Sequence, residues 1–95
     1  MATHVSALQS QYITSLLSGL AFIRVQPVAD LARQVAAEGA DSINLKSHEV
    51  VTCLVLLEGE TGIDPTKRDV LRNCGKQTLG QLVNYVTSRV KASRQ

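Results

Sequence analysis

The sequence predicts an all-α fold, a small antiparallel helical bundle of three longer helices and one short one. Three observations point there. A chain of 95 residues supports one small domain and a modest core, and residues 1–95 are read as that single domain. Apolar residues recur at three- and four-residue spacing in three stretches, and no alternating stretch of useful length suggests a strand. Tyr12, Tyr85 and Phe22 are the only aromatic residues, so the core is to be built from Leu, Val, Ile and Ala, a palette suited to packed helices.

Val5, Leu8, Tyr12, Leu16, Leu17, Leu20 and Ile23 predict a first amphipathic helix over about 6–21. Pro27 pushes the residue before it out of the helical region, making Arg24-Val25-Gln26 a connector. The segment 28–38 is rich in helix formers and stops at Gly39, which suits a short helix or an ordered loop. Ile43, Val50, Val51, Cys53, Leu54, Val55 and Leu57 form the stripe of a second major helix, expected from Asp41-Ser42 to about Glu58-Gly59. Asp64 can cap, and Pro65 begin, a short third helix through Val70 and Leu71 to Cys74-Gly75. Thr78-Leu79-Gly80-Gln81 reads as a capping box that opens a last helix along Leu79, Leu82, Val83, Val86 and Val90.

The formal charge of +2 hides an asymmetry. Between Asp30 and Asp64, seven acidic residues face only Arg33 and Lys46, whereas from Pro65 onward seven basic residues face only Asp69, with a basic tail from about residue 91. The basic end lacks interleaved aromatics and the acidic centre repels phosphate, which argues against a nucleic-acid partner. No apolar run is long enough to span a membrane, and the N-terminus lacks the basic start and apolar stretch of a signal peptide, so a cytoplasmic protein is expected. His4, His48, Cys53 and Cys74 show no paired-ligand spacing, and no metal is expected. Cys53, inside an apolar helical stripe, is expected to be a buried thiol.

The stretch Glu38-Gly39-Ala40-Asp41-Ser42-Ile43-Asn44-Leu45 puts an Asp-Ser pair between a glycine and an apolar run. Ser42 as a plain N-cap would contribute about 1 kcal/mol and no chemistry. As a nucleophile it would need a general base, and none is identifiable; Ser47-His48-Glu49 are adjacent on a helix and do not face one another, so no catalytic residue is expected. As an attachment point, its hydroxyl would carry a phosphodiester at a helix N-terminus, where unpaired N–H groups and the macrodipole favour an anion.

At this point the chain resembles the acyl and peptidyl carrier proteins, whose serine lies in a Gly-x-Asp-Ser-[Leu/Ile] motif, here Gly39-Ala40-Asp41-Ser42-Ile43. Tyr12 to Leu17 and Val25 to Val28 lie at a matching distance upstream, Leu57-Glu58 leading to Gly62-Ile63 is similar to the family's helix-two ending, and Thr78 to Val86 is similar to its last helix. The resemblance implies an acyl-carrier-like bundle that is not an enzyme, with 4'-phosphopantetheine on Ser42 and Asp41 recognised by the transferase. It further implies a thioester-bound acyl, aminoacyl or peptidyl cargo of fatty-acid, polyketide or nonribosomal-peptide-type biosynthesis. The implied partners are a phosphopantetheinyl transferase and loading or synthase enzymes docking near helix two, with the carrier itself a monomer.

Two features depart from the family. Between Ser42 and Gly62-Ile63 stand roughly five residues more than the family shows, over one helical turn, so the second helix must be longer, kinked or looped out around Asn44 to His48. Aligning Ser47 instead restores the downstream distance, but Lys46-Ser47-His48 is a poor motif and the upstream spacing then fails; Ser42 is preferred. The basic tail is also unlike the common fatty-acid carriers. The competing reading is a helical protein-interaction module in which Ser42 is only an N-cap.

Overall fold

The computed structural model describes residues 7–72, 75 and 77–94. It is all-α: helices α1 (Ala7–Arg24), α2 (Val28–Glu38), α3 (Ser47–Thr61), α4 (Arg68–Leu71) and α5 (Leu79–Arg94) enclose one core. The segment 28–38, open between helix and loop in the sequence, is a full helix, so among the described residues four long helices and one short one make the bundle. A two-residue antiparallel ladder joins β1 (Asn44–Leu45) to β2 (Gln77–Thr78), with Asn44 opposite Thr78 and Leu45 opposite Gln77.

The first helix runs to Arg24, about one turn past the end expected near Ala21 and one residue into the expected connector. Its buried side, Tyr12, Leu16, Leu17, Leu20 and Ala21, packs against α2, α3 and α5. It ends in a Schellman motif: the Gln26 N–H donates to the Ala21 carbonyl at 3.0 Å and the Val25 N–H to the Phe22 carbonyl at 3.3 Å. Such a turn needs a left-handed residue, and Val25 supplies it with φ of 53°, where a glycine is usual.

The expected start of the second major helix at Ser42 is not where it begins. Ala40–Ser42 form a 3-10 turn, Ile43 is extended, and α3 starts only at Ser47. The cause is burial. Ile43 and Leu45 are 1% and 2% exposed while Asn44 between them faces out, a period of two that an α-helix cannot satisfy. The extended backbone is anchored by the ladder and by the Leu79 N–H, which donates to the Ile43 carbonyl at 2.8 Å. The helix then starts where Glu49 reaches back to accept from the Lys46 N–H at 2.9 Å. It runs past Glu58 to Thr61 and stops at Gly62, left-handed at φ of 73°.

Asp64 accepts from the N–H and hydroxyl of Thr66 at 2.8 and 2.6 Å, closing a turn, so α4 begins at Arg68 rather than Pro65. Cys74, at the expected end of that helix, lies outside the described residues. The last helix opens on the expected capping box: the Gln81 N–H donates to Thr78 Oγ1 at 3.1 Å and the Thr78 N–H to Gln81 Oε1 at 2.9 Å. Leu79, Leu82, Val83, Val86 and Val90 are buried, as their spacing predicts.

Candidate functional site

Ser42 sits in the 3-10 turn with its side chain occupied by its neighbours. Its hydroxyl donates to the Gly39 carbonyl at 2.7 Å and accepts from Gln34 Nε2 at 3.3 Å, while the same Gln34 nitrogen reaches the Ser42 carbonyl at 3.1 Å. Gln34 is a partner the sequence motif gave no reason to name. The geometry expected for Ser42, a hydroxyl opening a long helix with a macrodipole behind it, is absent because Ser42 closes a single 3-10 turn and the backbone that follows is extended.

Asp41 is engaged as well. Its Oδ1 accepts from Thr78 Oγ1 at 2.7 Å, tying the turn to the start of α5. Gly80 allows this approach, since a Cβ there would collide with the Asp41 carboxylate. Thr78 thus serves α5 twice, as its capping acceptor and as the donor that holds Asp41.

Ser47 is the serine found at the head of a long helix. It is the first residue of α3, exposed, one position after the extended Lys46 and fifteen residues before Gly62. The first turn is fixed by an ion pair that hydrophobic spacing could not reveal. Arg24, at the end of α1, donates through Nε and Nη2 to the Glu49 carboxylate at 2.8 and 3.0 Å, and through Nη2 to the Asn44 carbonyl at 2.7 Å. The guanidinium hydrogen bonds hold the Glu49 carboxyl at about 2, well below its ordinary value, against the opposing effect of burial. A carboxylate three residues after a non-helical residue was the available signal.

Beside that turn lies a groove of about 450 Å³ lined by Asn44, Leu45, Lys46, Gln77, Thr78 and Gln81. Among the described residues that line it there is no carboxylate, and Lys46 brings the one formal charge. A second groove, of about 590 Å³, runs between α1 and α3 over Ser15, Ser18 and Gly19, flanked by Phe22, Ile23, Thr52 and Leu56. Phe22 is 87% exposed, and Val25 and Val28 continue the apolar surface around the α1–α2 corner. Val50, Leu54 and Leu57, by contrast, are core.

Cys53 is a buried free thiol pushed up to about 12, chiefly by burial. Among the described residues no group of three or more His, Cys, Asp or Glu side chains is arranged to hold a metal ion, and no helix is long and apolar enough to cross a membrane. Comparison with protein-family models, with curated proteins and with solved structures finds no match to this chain.

Proposed function

We propose that this chain is a non-enzymatic carrier module that bears a phosphopantetheine arm on a serine, and that the serine is Ser47 rather than Ser42. One observation carries the choice: the long helix that leads to Gly62-Ile63 starts at Ser47, whose side chain is exposed, whereas the Ser42 hydroxyl is bonded to Gly39 and Gln34. The alignment through Ser47 also restores the distance to Gly62-Ile63, and the five residues 42–46, mostly extended, then stand ahead of the helix instead of within it. In the family's motif an aspartate precedes the serine; here Lys46 stands there, and Asp41 belongs to the α5 cap.

The donor set fits a phosphodiester. Backbone N–H groups of the first α3 turn and the Lys46 ammonium favour the anion, and the nearby Glu49 charge is neutralised by Arg24. In the transfer, Ser47 Oγ would form a bond to the β-phosphorus of coenzyme A as the pyrophosphate P–O bond breaks. Adenosine 3',5'-bisphosphate leaves, and the serine proton passes to a base on the transferase. The arm supplies a terminal thiol that holds cargo as a thioester; the chain's own residues position the attachment point and offer surfaces to partners.

A second reading is favoured by the exposed Phe22, Val25 and Val28: a helical interaction module without a prosthetic group. Intact mass after incubation with coenzyme A and a broad-specificity phosphopantetheinyl transferase separates the two. A gain of one phosphopantetheine that Ser47→Ala abolishes and Ser42→Ala leaves is the expected result. Loss with Ser42→Ala alone would return the site to the Asp-Ser motif, and no gain in any form would leave the interaction module.

A further inference from the structure

We propose that the groove over β1 and β2 is the resting track of the pantetheine arm, an inference that depends on attachment at Ser47 as argued above. Lys46 lines the groove and Ser47 follows it in the chain, so an arm attached to Ser47 is tethered one residue from the groove's lining. The volume of about 450 Å³ falls in the range of small-molecule sites.

The lining matches the chemistry of the arm. Pantetheine is a chain of two secondary amides, a hydroxyl and a pair of geminal methyl groups, so its track needs carboxamide partners and little charge. Asn44, Gln77 and Gln81 bring three carboxamides to one groove. Gln81 Oε1 is taken by the Thr78 N–H, which leaves its Nε2 to donate to an amide carbonyl of the arm. The Asn44 side chain makes no hydrogen bond among the described residues; only its main-chain carbonyl is used, by Arg24. Lys46, in no ion pair with any described residue, supplies the positive charge beside the phosphodiester. The ladder sets Asn44 against Thr78 and Leu45 against Gln77, and Gln81 follows in the first turn of α5, so the amide sites come from two segments far apart in sequence. The apolar α1–α3 groove, lined by Ser15, Ser18, Thr52 and hydrocarbon, offers no such amide partners.

The test compares nitrogen-15 spectra of the whole chain before and after loading by coenzyme A and the transferase, with intact mass recorded on the same sample, and adds a titration of the unloaded chain with free pantetheine. Loading is expected to shift the backbone signals of Gln77, Thr78 and Gln81 and the side-chain amide of Gln81, all remote from Ser47 in the chain, together with the side-chain amide of Asn44. Asn44→Ala is expected to weaken free pantetheine about 3- to 10-fold, the loss of one hydrogen bond, while Phe22→Ser leaves it unchanged. A chain that gains the arm on Ser47 but whose shifts stay within its sequence neighbours would overturn the track and leave the carrier reading standing. A chain that accepts no arm removes the carrier reading, and the track falls with it.

Discussion

Arg24 grips Glu49 through two nitrogens across the α1–α3 interface, at 2.8 and 3.0 Å, and in doing so fixes where α3 begins. The Glu49 side chain is 6% exposed, so its charge depends on this partner and on the Lys46 N–H. Its carboxyl is lowered from 4.5 to about 2. A lowered folded-state value means that the stabilisation is complete above about pH 4.5 and is lost as pH falls toward 2. The amount is on the order of 3 kcal/mol. Asp64 and Asp69 are also lowered, by Thr66 and Arg89, but at the surface. Urea unfolding between pH 7 and pH 2 should therefore show a steep acid limb in the native chain and a shallower one in Glu49→Gln. Parallel limbs would mean that the pair does not control acid stability.

Val25 tells against its own position. A β-branched residue at φ of 53° carries the steric conflict between its Cβ and the backbone, about 1–2 kcal/mol, and its side chain is 89% exposed, so little burial is gained. Glycine removes the conflict, although its greater freedom in the unfolded chain returns about 0.5–1 kcal/mol. The net expectation for Val25→Gly is a gain of about 0.5–1 kcal/mol, read as a higher midpoint of thermal unfolding. A lower midpoint would show that Val25 makes a contact more valuable than the strain it bears.

Two glycines in helices should respond to alanine with opposite signs. At Gly19 the added methyl would meet the tip of Leu56, a half-exposed side chain that can swing away, so the helix-propensity gain of about 1 kcal/mol prevails. At Gly80 the methyl would meet the Asp41 carboxylate, with the Asp41 backbone nitrogen 3.4 Å away and the carboxylate held by Thr78. That neighbour cannot move without breaking its bond, and overpacking costs about 1–3 kcal/mol. Chemical unfolding should rank Gly19→Ala above the native chain and Gly80→Ala below it. Equal effects would refute the Asp41–Thr78–Gly80 contact.

What was legible in the sequence followed from periodicity and from local hydrogen-bond chemistry. The stripes of α1 and α5 and the Thr78–Gln81 capping box are single-helix properties, and each stands where the spacing puts it. The start of α3 was not legible in that way, because Ile43, Asn44 and Leu45 are too few to announce a strand and the ladder partners of Asn44 and Leu45 lie 34 and 32 positions away. An Asp-Ser pair after glycine reads as a helix start when only neighbours are considered. The long-range bonds from Leu79 to Ile43 and from Thr78 to Asp41 override that local preference. The proposal of Ser47 rests on the same contrast: a motif names residue types in order, whereas the start of α3 is positioned by Arg24 and Glu49 from opposite sides of an interface.

Cys53 offers a direct check of that interface from the inside. It is fully buried one turn beyond Glu49, and its thiol is pushed up to about 12, first by burial and then by the Glu49 charge, with Arg24 acting in the opposite direction. Burial thereby suppresses the reactive thiolate, and a reagent has no path to the buried sulfur. Labelling of Cys53, distinguished from Cys74 by peptide mapping, should thus proceed only through opening of the core and should accelerate in urea in step with unfolding. Arg24→Ala leaves a buried carboxylate unpaired, which costs about 3–5 kcal/mol and should speed Cys53 labelling by at least a hundredfold. Rapid labelling of the native chain would contradict the burial of α3, and an unchanged rate in Arg24→Ala would show that the ion pair does not hold α1 against it.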